Sequence, residues 1–206
     1  MLYFQKIYSQ KALPWGKEKL GDSDLEIEDY GCLITNLTNI ANFFGHIINP
    51  STINKKLKEI KGFQNANYIW GSFEKLFPEI KEKYQKTPVK LTDKQVAEIK
   101  KSIDDGNPVM LWIDYNPMTV KNDMHWVVVI NYDCNDENNL TIIDPIDGKT
   151  RSLKEYLKFL IGSMRRTIEA YVIYSRTTKI ITIESLQNEC KKLKDKLNEI
   201  NNILNN

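Results

Sequence analysis

The hydrophobic period of this chain changes once, at Asp105-Gly106-Asn107-Pro108, and that change constrains the fold more than any other feature. Before it, apolar residues recur at three- and four-residue steps. Leu33, Leu37, Ile40, Ala41 and Phe44 predict a helix that begins at or just before Cys32 and stops at Gly45. Ser51 or Thr52 caps a second helix through Ile60, ended by Gly62, and Tyr68 to Phe77 reads as a third, closed by Pro78. Thr92 and Gln95 form a capping-box pattern ahead of a fourth, VAEIKKSI. The first thirty residues are polar and irregular, and GDSDLEIEDYG reads as loop. After the break the pattern becomes that of strands: Val109 to Tyr115, Trp126 to Tyr132, Leu140 to Asp144 and Ala170 to Tyr174, rich in β-branched and aromatic residues. The VVVI run is apolar on both faces and belongs in the middle of a sheet. A helix from Leu153 to Leu160 separates the last two strands. Helices first and a mostly antiparallel sheet second predict an α+β fold.

The tail follows another rule. Ile183, Leu186, Cys190, Leu193, Leu197, Ile200 and Leu204 step alternately by three and four, with Lys, Glu, Asp and Asn between them. Such a heptad stripe predicts a C-terminal coiled-coil helix and self-association into a homo-oligomer; the rival reading is a helix that packs back on the domain. Helices of this length are marginal in water unless something covers the stripe. The expected organisation is a catalytic-sized domain at 1–176 and an amphipathic helix at 177–206.

Composition excludes several classes. With 29 basic and 27 acidic residues among 206, interleaved along the chain, the sequence lacks the basic stripe of a nucleic-acid binder. No apolar run reaches membrane-spanning length, since VMLWI and WVVVI are strand-sized. The opening MLYFQKIYSQ does not read as a signal peptide, so the expected location is the cytoplasm, or outside after release by a route that reads no signal. Three cysteines in such a chain predict free thiols rather than a disulfide framework. No C-x-x-C or H-x-x-x-H spacing and no glycine-rich phosphate loop occurs, so neither a metal nor a cofactor is expected.

One of those thiols is well placed for chemistry. Cys32 follows Gly31 and opens a helix whose first N–H groups favour an anion. A nucleophilic thiol also needs a base nearby. By position alone, a buried structural cysteine is an equal reading. Of two histidines, His46 follows the end of the first helix and reads as a C-terminal cap or surface residue. His125 stands at the entrance to WVVVI, where a polar ring requires a partner. Asp144 closes the next strand, and the turn-rich NYDCNDENN lies midway between the two. A hairpin folded there brings the carboxylate beside the imidazole, where it would hold the tautomer and favour the imidazolium. Asp144 also reads as the start of the DPIDG turn, and both roles can hold at once. Gln10, upstream of the nucleophile, is a candidate oxyanion donor, a weak one on spacing alone.

Taken together, YSQKALPWGKEKLG, YGCLITNLTNIANFFG, GNPVMLWIDY, HWVVVINY and IIDPIDGKTRSL resemble the blocks of the C39-like peptidase domains, papain-like proteins common in bacteria and their phages. The resemblance covers Phe4 to Ser175. It implies a papain-like fold, with Cys32 as nucleophile, His125 as base, Asp144 as the carboxylate that orients the histidine, and Gln10 as oxyanion donor. It departs from papain-type proteases in the longer interval between Gln10 and Cys32. Trp15, Trp70, Trp112 and Trp126 read as core or pocket wall, with Trp126 placed to shield the pair from water, and Cys134 reads as exposed and incidental.

The function expected from these features is a thiol-dependent hydrolase acting on a peptide or protein substrate. Its rivals are a cell-wall peptide amidase of phage-lysin type, a catalytically silent fold used for binding, and an acyltransferase built from the same parts.

Overall fold

Three helices before or at the period change end in the same way, on a residue in the left-handed region. The computed structural model describes residues 1–87, 90–114, 124–136, 139–156, 164–177, 190–191 and 193–197. After a short helix at Ile27–Tyr30 (α1), the long helix Cys32–Phe43 (α2) closes with Gly45 in the left-handed region. Gly45 N–H bonds to Asn42 O and His46 N–H to Ala41 O, the paired bonds of a Schellman ending. Pro50–Glu59 (α3) ends likewise, but Lys61 takes the positive φ and Gly62 follows one position later. Asn49, not Ser51 or Thr52, caps that helix: its Oδ1 accepts from Thr52 N–H at 2.8 Å, and Pro50 fills the first turn.

Between α3 and the break lies more strand than the pattern predicts. Phe63–Gln64 (β1) and Asn67–Tyr68 (β2) form a small hairpin, so Tyr68 belongs to a strand and only Ser72–Leu76 (α4) is helical. Ile80–Lys86 (β3) is an edge strand with its lysines outward. Glu82 occupies an inward position, where a hydrophobic residue would have revealed the alternation. Its carboxylate accepts there from Tyr174 Oη at 3.0 Å and from Gly71 N–H at 2.6 Å. Asp93–Asp104 (α5) opens with the full capping box of Thr92 and Gln95.

The strands that follow are Val109–Asp114 (β4), Met124–Tyr132 (β5), Leu140–Asp144 (β6), Lys149–Ser152 (β7) and, after the short helix Leu153–Tyr156 (α6), Ile168–Arg176 (β8). Together with β3 they form, among the described residues, one six-stranded sheet in the order β3-β8-β4-β5-β6-β7, with every neighbour antiparallel. The VVVI strand is interior, and Val127, Val128 and Val129 are completely buried. Helix α2 packs on β5, and α5 packs on β4 and β5. The molecule is thus α+β, with an antiparallel sheet. GDSDLEIEDYG is less irregular than its composition suggests, since its Glu26 bridges to Lys19 and it contains α1.

The chain divides into two compact units, Met1–Arg176 and Thr177–Asn206. In the second, residues 190–191 and 193–197 are helical, with Cys190, Leu193 and Leu197 exposed. Ile183, Leu186, Ile200 and Leu204 of the heptad stripe lie outside the described residues, as do Tyr115 and the end of the helix expected through Leu160. Among the described residues no helix is long and apolar enough to cross a membrane.

Candidate active site

Cys32 is the first residue of α2, and the chain reaches it through a contact that only glycine permits. A Cβ at Gly31 would lie 2.5 Å from both Ile27 Cγ2 and Ile27 O. Helix α1 therefore turns into α2 at close quarters, leaving the half-buried thiol at the helix mouth. The N–H groups of that first turn have no partner within the helix and face the same space.

From the sheet comes His125, 5% exposed, near the start of β5. Its Nε2 lies 2.9 Å from Asp144 Oδ1. The Cys32 side chain also acts on the ring, raising its pKa. Cys32, His125 and Asp144 thus form one continuous run.

A bulge makes that run possible. Near the turn, Tyr132 pairs with Leu140 and Asn131 with Thr141; beyond it, Val129 pairs with Ile142 and Val128 with Ile143. Ile130 is the extra residue on β5. Without it, Asp144 would fall opposite Val128, on the sheet face away from His125. With it, Asp144 falls opposite Val127 and shares the face of His125, two residues along. The pair meets diagonally across the hairpin, not directly opposite. The carbonyl of Ile130 accepts from Leu2 N–H at 2.8 Å, so the N-terminus covers the bulge.

Asp144 is completely buried and fully engaged. Besides His125, its Oδ1 accepts from Ile146 N–H at 2.9 Å and its Oδ2 from Arg151 Nη1 at 2.9 Å. Burial acts to raise its pKa, but the hydrogen bonds from His125 and Ile146 and the charges of His125 and Arg151 outweigh it. The carboxyl is held below its ordinary value. Burial likewise acts to lower His125, yet Asp144 and Cys32 prevail and push the imidazole up to about 9. Arg151 escaped sequence reasoning. Its signal was present in DPIDGKTR, a tight turn returning a cation beside the aspartate that opens it.

Gln10 is 3% exposed and sits between the two halves of the site. Its backbone N–H bonds to Pro145 O at 2.6 Å, next to Asp144, and its side-chain Nε2 donates to Glu28 O at 2.7 Å, in α1. That recorded side-chain bond goes to α1, not to the Cys32 thiol. The segment around Gln10 is fixed by Asn39, whose Oδ1 accepts from Tyr8 N–H at 2.7 Å, and by Ser9 Oγ, which donates to Ile146 O at 2.7 Å. Asn36, one turn after Cys32, donates to Trp126 O at 2.8 Å and ties α2 to the strand of His125. Asparagines in a buried helical stripe, at 36, 39 and 42, were the readable sign of these clamps.

His46 is remote from this group. It follows the Schellman glycine, as a cap position would, and pairs with Glu79. Cys134 is exposed. Cys32 and His125 both line a cavity of about 270 Å³, with Trp112, Trp126 and Tyr68 in its wall.

An antiparallel α+β fold with a cysteine at a helix mouth, sharing a cavity with a sheet histidine that a buried aspartate holds, is an arrangement associated with thiol-based acyl transfer. A family model described as "Peptidase_C39 like family" matches residues 5–181, and the chain belongs to that family. At family level it is a cysteine-peptidase-type protein. No curated protein matches the chain.

Proposed function

We propose that the protein is a thiol-dependent hydrolase that cleaves a peptide or amide bond through an acyl-enzyme on Cys32, on a papain-like version of the family's fold. The supporting observation is that Cys32, at the mouth of α2, and His125, bonded to the buried Asp144 at 2.9 Å, line one cavity.

The steps follow from that arrangement. Cys32 sulfur attacks the carbonyl carbon as its proton passes to His125; the S–C bond forms and the carbonyl electrons move to oxygen. The Cys32 backbone N–H and the second amide hydrogen of Gln10 Nε2 stabilise that oxyanion. As the C=O bond re-forms, the C–N bond breaks and His125 delivers its proton to the leaving nitrogen. Water then gives a proton back to His125 and attacks the thioester, releasing the acid and the sulfur. Asp144 keeps the imidazole oriented throughout.

Iodoacetamide near neutral pH tests the reading: Cys32 is expected to react stoichiometrically and faster than Cys134 or Cys190, as peptide mapping would show. Sluggish reaction at all three would sink it.

The raised histidine also sets an upper pH limit. The leaving nitrogen needs the imidazolium, and His125 gives up its proton only near pH 9. Peptidase activity is therefore expected to fall with an apparent pKa of about 9 on the alkaline side, and a midpoint near the ordinary 6.5 would contradict the pairing. Stability follows the same signs. The histidine's contribution is complete below 6.5 and lost as pH rises through about 9. The aspartate's contribution is present above 3.8 and lost as pH falls through its lowered folded value.

For the tail, the heptad stripe and the exposure of Leu193 and Leu197 support self-association through a coiled coil. Light scattering is expected to find an oligomer that becomes a monomer on removal of residues 180–206. A monomeric full-length chain would end that part of the reading.

A further inference from the structure

The cavity beside Cys32 carries aromatic groups that the hydrolytic steps leave unused. Trp112 and Trp126 are cross-strand partners on β4 and β5, and their rings stack 5.7 Å apart with planes 10° from parallel. Trp70 packs edge-on against Trp126 at 5.5 Å and is itself flanked by Tyr68 at 5.1 Å and Tyr84 at 4.5 Å. Rings supported on each other have few alternative rotamers, so this wall is formed before a substrate arrives. Phe63 from the β1–β2 hairpin and Leu33 from α2 add apolar surface, while Asp29, Tyr30 and Asn67 make the rest of the lining polar.

Size and charge narrow the occupant. At about 270 Å³ the cavity falls just below the ~300–1,000 Å³ typical of sites that hold whole small molecules. It suits one side chain better than a run of sugars. Among the described lining residues there is no lysine or arginine, and His125 is already committed to Asp144 and Cys32. An acidic side chain would find no free counter-charge. A basic one would find a single carboxylate, Asp29, and would leave water for a lining that includes the buried Ile34, Phe63 and Trp126. An aromatic or branched apolar side chain gains burial against the same lining without that cost.

We infer that the cavity is a specificity subsite for a bulky apolar side chain, aromatic above all, carried by a peptide substrate next to the bond that Cys32 attacks. This rests on the hydrolase reading, because it takes Cys32 as the reacting atom. Trp112 is its principal specificity residue, since its ring stacks on Trp126 while remaining half-buried at the cavity.

Alkylation kinetics test the subsite without requiring turnover. Full-length protein is treated with N-methyl and N-benzyl chloroacetamide, and the rate at Cys32 is followed with exposed Cys134 as internal reference. The benzyl-to-methyl ratio at Cys32 is expected to exceed that at Cys134 by about tenfold or more. Trp112→Ala, which removes the wall, and Ala66→Leu, which fills the cavity from the hairpin turn, should each bring the ratio down toward the Cys134 value. Equal ratios at the two cysteines of the wild-type protein would overturn the subsite and leave the hydrolase reading standing. A preference for an aminobutyl reagent, cancelled by Asp29→Asn, would overturn it in favour of a basic side chain. Failure of Cys32 to react with any reagent would overturn both.

Discussion

Cys32→Ala is expected to abolish cleavage, lowering kcat/KM by about 10⁵-fold or more, while leaving the fold in place. The size of the kinetic effect follows from the role: without sulfur no acyl-enzyme forms, and loss of a nucleophile that acts as a unit with its base removes nearly all the covalent catalysis. The small structural effect follows from position. Cys32 is half-buried at the first turn of α2, alanine is the best helix former, and the change removes one sulfur atom without opening the core. Stability should change by less than ~1 kcal/mol. A peptide-library digest of wild type against the variant, alongside urea unfolding of both, separates the two effects. A folded variant that still cleaves the library would remove Cys32 from the mechanism.

The second large effect belongs to Asp144, where stability and catalysis respond differently to two substitutions. Asp144→Ala leaves the buried imidazole of His125, the Ile146 N–H and one arm of Arg151 without their acceptor. Breaking a buried pair by removing one partner costs ~3–5 kcal/mol. The lower end applies, because Arg151 is partly exposed and retains Asp147 through its other arm at 2.6 Å. Asp144→Asn keeps the shape and an acceptor oxygen but loses the charge. Its cost in stability should therefore be smaller, while kcat/KM still falls by ~10⁴-fold as the histidine loses its orientation and its support as imidazolium. The alkaline limb of its residual activity should also move below pH 9, since the bond that contributes most to raising His125 is weakened. Urea unfolding and pH–rate profiles of the pair decide the matter. If Asp144→Asn kept wild-type activity, the carboxylate would have only a structural role.

Elements with a strong local signal were legible in the sequence. The capping box at Thr92, the helix from Cys32 to the Gly45 stop, and the apolar strand after His125 each combine a pattern with a clear boundary residue. Elements that answer to distant partners were not. Strand β3 left no signal because Glu82 sits where its alternation needs an apolar residue, and the tyrosines of β2 and β8 together with the Gly71 N–H make that burial tolerable. The β1–β2 hairpin, of which only Tyr68 falls in the helix expected from Tyr68 to Phe77, left no signal because two-residue strands are too short to establish a period. The polar strand β7 is held by its ladder to β6, which composition alone does not disclose.

The same division runs through the site. Gly31 before Cys32, a histidine entering an apolar strand, and an aspartate closing the next one are local facts, and they carried the chemistry of the reading into the sequence itself. The carboxylate's arrival on the histidine's face was settled elsewhere. It depends on one extra residue in β5, on the N-terminus that bonds to that residue's carbonyl, and on an arginine returning along β7. A side chain's identity is written at its own position, whereas which face it shares with another depends on the register of a whole hairpin. That register is a balance of distant hydrogen bonds and packing, and no short stretch of sequence contains it.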